Sequence, residues 1–166
     1  MSSQTDLDHP RVRRVIDALT AAGLPGARAV RMLAADVRTA AAAAEALGVT
    51  VGAIANSLVF DADGGPLLVL TSGAHRADTT RVAALLGVHA IRMGDPDFVR
   101  AHTGQPIGGV APTGHPAPIR TLVDRELRKH PVVWAAAGHP KALFPTTFDE
   151  LLTLTGGQGA DVAVAG

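Results

Sequence analysis

No cysteine occurs among the 166 residues. A thiol nucleophile, a thiolate metal site and a disulfide framework are therefore excluded together. Tyrosine is absent as well, and aromatic residues make up only 3% of a chain that is 47% hydrophobic. The core must be built from alanine, valine, leucine and isoleucine. Net charge is missing too, because 15 Lys and Arg balance 15 Asp and Glu. No global field draws such a chain onto nucleic acid or an anionic membrane, so any RNA contact must be local, weak and salt-sensitive. No apolar run approaches the ~18 residues that a membrane span requires. The opening Met1-Ser2-Ser3-Gln4-Thr5-Asp6 lacks the cationic region and apolar stretch of a signal peptide. The expectation is a soluble, cytoplasmic chain. Its length suits one domain that buries a core without metal or disulfide staples.

What is present is clear punctuation. Asp8-His9-Pro10 reads as a helix entry, followed by Val12, Val15, Ile16 and Leu19 at helical spacing and closed by Gly23. Asp36 reads as the opening of a second, alanine-heavy helix that ends at Leu47-Gly48. Asp78 opens a third, ended by Leu86-Gly87, and Asp95-Pro96 a short fourth, stopped near Gly104. Thr147 with Glu150 forms a capping box ahead of Leu151 and Leu152. Between these lie strand candidates at Ala29–Met32, Ile54–Phe60, Leu67–Leu70, Ala90–Met93, Ile119–Val123, Val132–Ala136 and Asp161–Ala165. Asp61-Ala62-Asp63-Gly64-Gly65 reads as a hairpin turn between two of them. Such an order predicts an α/β chain with a mixed sheet flanked by helices, not a clean parallel array.

The most informative stretch runs from Gly104 to His115, with four glycines and two prolines in twelve residues. It can neither continue a helix nor form a central strand. Its physical use would be the close approach of bare backbone to a ligand. No Gly-Lys-Ser/Thr follows, so it is not a phosphate-binding P-loop, and no strand leads into it as the dinucleotide fingerprint requires. An ordinary connecting loop fits the composition equally well.

Ile107-Gly108-Gly109-Val110-Ala111-Pro112-Thr113-Gly114-His115 resembles the glycine-x-x-x-proline loop of the YbaK and prolyl-tRNA-synthetase editing-domain superfamily, with Gly108 and Pro112 as its ends. The similarity extends to Ala46-Leu47-Gly48-Val49, Ile54-Ala55-Asn56-Ser57-Leu58-Val59-Phe60 and Val69-Leu70-Thr71-Ser72-Gly73. It continues through Leu85-Leu86-Gly87, Leu122-Val123-Asp124, Val133-Trp134-Ala135-Ala136-Ala137-Gly138 and Phe148-Asp149-Glu150-Leu151. It covers roughly residues 10 to 155, within a single editing domain over 1–166. The resemblance implies a YbaK-like fold and hydrolysis of the ester joining a small, wrong amino acid to tRNA. In the family the loop backbone positions the aminoacyl carbonyl and the terminal ribose, while attack relies on water and a substrate hydroxyl. An activated ester needs little more than a placed water and donors aimed at the developing oxyanion.

By this resemblance the catalytic positions are Asn56, Gly108, Gly109, Val110 and Pro112. Substrate-binding positions are Ser57, Thr71, His115, Gly138 and His139. The implied partner is the 3' end of an aminoacyl-tRNA, without DNA, membrane, metal or cofactor, and a homodimer is allowed for. One departure stands out. The family carries a lysine in the strand where this chain has Asn56, which shares a strand face with Ile54, Leu58 and Phe60. Asparagine can hydrogen-bond a ribose or an amino acid but brings no charge. A catalytically weak binding module for a small ligand, an RNA end or a protein partner is therefore the alternative to a deacylase.

The remaining polar residues say less. His75, His102, His115 and His139 fall near loops or helix ends, and His115-Pro116 and His139-Pro140 could converge on one pocket as base or proton shuttle. No pair has the helical spacing of a zinc protease. Ser57, Thr71 and Ser72 are nucleophiles by type only, since no nucleophile elbow surrounds them. Arg125, Arg128 and Lys129 beside Asp124 and Glu126 read as a solvated face, Arg11, Arg13 and Arg14 as a small basic strip, and Trp134 as core.

Overall fold

The computed structural model describes residues 7–163. In chain order the first elements are α1 (Pro10–Ala21), β1 (Arg31–Met32), α2 (Ala40–Leu47), β2 (Ile54–Ala62) and β3 (Gly65–Ser72). α3 (Thr79–Leu86), β4 (Ile91–Met93), α4 (Pro96–Thr103) and β5 (Arg120–Asp124) follow. The chain then forms β6 (Val133–Ala136), β7 (Ala142–Thr146), α5 (Phe148–Thr155) and β8 (Gln158–Ala160). The strands make one mixed sheet in the order β1-β7-β6-β2-β3-β5-β8, with β4 attached to β2 off this path. The expected mixed α/β architecture is present.

The β2–β3 hairpin is the centre of the sheet, paired from Ala55↔Ser72 to Ala62↔Gly65. Asp63 and Gly64 turn it with φ of 52° and 91°. Two left-handed residues match the twist of a hairpin, which is why Asp-Gly serves here. The Asp63 carboxylate also accepts the N–H groups of His89 and Ala90 at 2.9 and 2.7 Å. Those bonds hold its pKa below the usual carboxylate value and pin the entry to β4 against the turn.

Helices cover both faces. Val12, Val15 and Leu19 of α1, Val99 of α4 and Leu151 of α5 pack with Ala55, Val59, Leu68, Leu70 and Phe144. On the other face Val82 of α3 meets Phe60, Leu67 and Val69, and Ala43 and Ala44 of α2 meet Ile54 and Leu143. Alanine at positions 43 and 44 brings α2 close to the sheet.

Several boundaries differ from expectation. α2 begins at Ala40, because Thr39 caps it by accepting the Ala42 N–H at 3.1 Å, and Asp36 pairs with Arg38 instead. β1 is only two residues, since Pro25–Arg28 turns as a 3-10 helix that ends at Ala29. β7 was hidden by Pro145. The Lys141 carbonyl faces β1, accepting from Leu33 N–H at 2.7 Å. By strand alternation the Pro145 nitrogen faces the same side, beyond the reach of Arg31–Met32, so no ladder bond is lost. The last strand is β8, not Asp161–Ala165. Within the latter range Ala163 makes a single bridge to Ala77, and residues 164–165 lie outside the described residues.

Asp124 corrects the reading of a solvated face. Its side chain is 2% exposed. It accepts from the Ser72 N–H at 3.0 Å, the Glu126 N–H at 2.9 Å and His75 Nδ1 at 2.9 Å. A buried carboxylate with three donors is a structural tie between β3 and β5.

Candidate active site

The site begins as a gap in the sheet. On the edge opposite β3, β2 pairs with β6 at Ile54 and Ala55 and with β4 from Phe60 to Ala62. Residues 56–58 have neither neighbour. The Ile54 carbonyl accepts from Gly73 N–H on the β3 side at 2.8 Å, and the Val59 carbonyl accepts from Gly94 N–H on the opposite side at 2.9 Å. Alternation along the strand then turns the N–H and C=O of Ser57 into the gap. The Ser57 hydroxyl is buried and has no hydrogen-bond partner among the described residues.

A cavity of about 290 Å³ occupies this gap, lined by Asn56, Ser57, Leu58, Gly108, Val110, Ala43, Ala136 and Arg38 among others. Asn56 and the glycine-rich loop therefore face one space. Exposed Met93 and Ile107 also line it, giving apolar surface.

Gln105 holds the loop in shape. The residue is 2% exposed. Its Oε1 accepts the Ala111 N–H at 2.7 Å, and its Nε2 donates to the Thr113 carbonyl at 3.1 Å. His115 Nε2 donates to the Ala111 carbonyl at 2.8 Å, which fixes its tautomer. Gly109 N–H donates to the Pro106 carbonyl at 2.9 Å. Two further glycines seat neighbouring segments on α1. A Cβ on Gly114 would lie 3.1 Å from Val15 Cγ2, and one on Gly138 would lie 3.0 Å from the Arg11 carbonyl oxygen.

Of the residues proposed from the sequence, Asn56, Ser57, Gly108 and Val110 line the cavity. Gly109 does not, and leans on the backbone of His139 and Pro140. Thr71 sits across from Asn56 on β3, buried, with its hydroxyl 3.4 Å from the Asn56 carbonyl. Pro112 and His115 line a separate depression with Arg14 and Asp17. Gly138 lies behind the loop, its carbonyl accepting from Arg11 Nε at 2.9 Å. His139 packs edge-on against His9 at 5.0 Å. The two His-Pro turns do not meet in the cavity. Sequence reasoning missed Gln105, whose signal was an amide able to donate and accept inside a broken segment. It also missed Arg38, which a helix starting at Asp36 would have placed in its first turn.

Burial lowers the pKa of His115 from its ordinary value of 6.5. His139 is lowered by burial and then by the nearby His9 and Arg11, and His9 by burial and then by Arg11. The unfolded chain thus binds protons at these sites more readily than the folded one. Their stabilising contribution is present above 6.5 and is lost as pH falls through the lowered folded values. Melting temperature should fall between about pH 7 and pH 5, with His115→Gln flattening the decline. An unchanged profile in that variant would remove His115 from the account.

Residues 34–154 match the aminoacyl-tRNA editing domain family. A solved structure described as a candidate trans-editing enzyme for prolyl-tRNA synthetase superposes with a TM-score of 0.87 at 44% identity, covering 95% of this chain and 99% of that one. A candidate Cys-tRNA(Pro)/Cys-tRNA(Cys) deacylase of Enterococcus faecalis is 27% identical over 128 residues, 76% of this chain and 78% of that protein. The proline–tRNA ligase of Nitratidesulfovibrio vulgaris is 30% identical over 118 residues, 71% of this chain. The match spans only 19% of that ligase. The cavity between β2 and the Gly108 loop is therefore set in a known framework, and the chain belongs to the aminoacyl-tRNA editing domain family.

Proposed function

We propose that this chain is a cytoplasmic, single-domain hydrolase that removes a small mischarged amino acid from the 3' end of tRNA. The observation that carries the reading is the cavity itself, where main-chain groups of Ser57 and the Gly108 loop face one small space. Water adds to the ester carbonyl, and collapse of the tetrahedral intermediate releases the amino acid and returns a proton to the ribose oxygen. Backbone N–H groups directed at the developing oxyanion lower that barrier without a conventional triad. The walls suit a short side chain. Ala43 and Ala136 add little bulk, and the unpartnered Ser57 hydroxyl offers a hydrogen bond to a polar group. Half-exposed Met93 and Ile107 give the terminal base apolar surface.

Asn56 bears on the second reading, a binding module that no longer hydrolyses. The test is a deacylation screen over a panel of mischarged tRNAs, run on wild type and Asn56→Lys. A working deacylase should hydrolyse at least one ester, and the lysine variant should keep or raise that rate. Its ammonium can snorkel from the apolar face of Ile54 and Leu58 toward the cavity mouth. Inactivity of the folded wild type on every ester would favour the binding module.

A further inference from the structure

We infer that Arg38 binds the phosphate on the 5' side of the terminal nucleoside and fixes the register of the RNA end over the cavity. The inference rests on the deacylase reading for its substrate but not for its test. Among the described residues, Arg38 is the only charged one lining the cavity. The neighbouring polar side chains, Asn56, Ser57 and Thr39, are neutral, so a phosphate diester entering with the ester has one cation to meet.

The geometry prepares that meeting. Gly108 has φ +90°, and a Cβ there would lie 3.0 Å from Arg38 Cγ and 3.1 Å from its Cβ. The bare glycine lets the arginine stem lie across the loop at the mouth. The head is then held from two sides. Nη1 donates to the Ile107 carbonyl at 3.2 Å and Nη2 to Asp36 Oδ2 at 3.1 Å. A guanidinium has five N–H donors in a fixed fork, so donors remain for an oxyanion. The side chain is 55% exposed. Water therefore screens the Asp36 pair, which orients the head without removing its charge.

Charge sign also separates the two ends of the substrate. The α-ammonium of an aminoacyl ester is repelled by Arg38, whereas the phosphate is drawn to it. The guanidinium thus favours the pose with the amino acid inside, beside Ser57, and the phosphate at the rim. The role is one of positioning, since Arg38 touches no reacting atom.

The experiment compares two simple probes, adenosine 5'-monophosphate and adenosine, by calorimetric titration. Wild type should bind the monophosphate about tenfold more tightly, as a charge-assisted contact predicts. Arg38→Ala should erase that preference, weakening the monophosphate about tenfold more than adenosine. Arg38→Gln removes the charge but keeps an amide donor and most of the stem, so it should erase the preference too, even if the alanine variant folds poorly. Arg38→Lys should keep part of it. Equal affinities in wild type, no binding of either probe at millimolar concentration, or equal weakening of both probes in the folded glutamine variant would overturn the assignment. Nucleotide binding is read whether or not any ester is cleaved. A protein that prefers the monophosphate yet hydrolyses nothing would uphold Arg38 and reject the deacylase.

Discussion

Gly109→Val is expected to reduce deacylation at least about 100-fold, because it displaces the loop from behind. A Cβ at this position would lie 2.8 Å from the His139 carbonyl carbon, 2.9 Å from the Pro140 nitrogen and 3.0 Å from His139 Cα. All three are backbone atoms, so no rotamer change can relieve the clash. The loop or the 137–141 turn must move. Gly108 and Val110 flank the substituted residue and line the cavity, so the displacement reaches the site directly. Loss of rate follows from misplaced donors, not from a blocked cavity. Deacylation rate, melting temperature and monophosphate affinity should be measured together on Gly109→Val and Gly109→Ala. Alanine should show a smaller defect of the same kind. A folded valine variant with full activity would contradict the role given to the loop.

Gln105→Ala should be the most damaging change to stability in the site region. Its amide is buried and engaged at both ends, to Ala111 N–H and to the Thr113 carbonyl. Truncation leaves both main-chain groups without that partner, at roughly 1–3 kcal/mol each, and opens a void. A total near 2–6 kcal/mol is expected by denaturant titration. Gln105→Glu should also destabilise, since a carboxylate can still accept from Ala111 but, when ionised, cannot donate to Thr113 and carries a desolvated charge. A loss below about 1 kcal/mol for alanine would show that water replaces the amide and that the loop is not clamped as described.

The two residues mark the limit of what the sequence showed. Helices α3, α4 and α5 were legible because their caps are local. Asp78, Asp95 and Thr147 each bond an N–H two or three residues ahead. The Asp63-Gly64 turn was legible for the same reason. The glycine-rich loop was visible as a break, and resemblance to the editing domains supplied its meaning. The packing behind Gly109 joins residues thirty positions apart, and no local pattern encodes such a contact. α2 was misplaced because Asp36 and Thr39 are both good capping residues, and only the folded geometry selects between them. Asp124 was read as exposed because carboxylates usually are. Its burial depends on Ser72, 52 residues earlier. Local chemistry is written in the sequence, whereas the partners of Gly109, Arg38 and Asp124 are decided by the folded chain.

The gap beside β2 has a consequence for how the protein behaves in a crowded solution. An open strand edge normally invites a second polypeptide to extend the sheet, the first step toward aggregation. Here the opening covers only residues 56–58, with β6 closing one end and β4 the other. Ser57 alone turns its main chain outward there, and the Gly108 loop lies over the cavity. A foreign strand needs several consecutive partners to gain more than it loses in ordering, and it would collide with β4 and β6 before finding a second. The notch can offer an unpaired donor and acceptor to a small molecule while refusing another chain, a filter set by the length of the interruption.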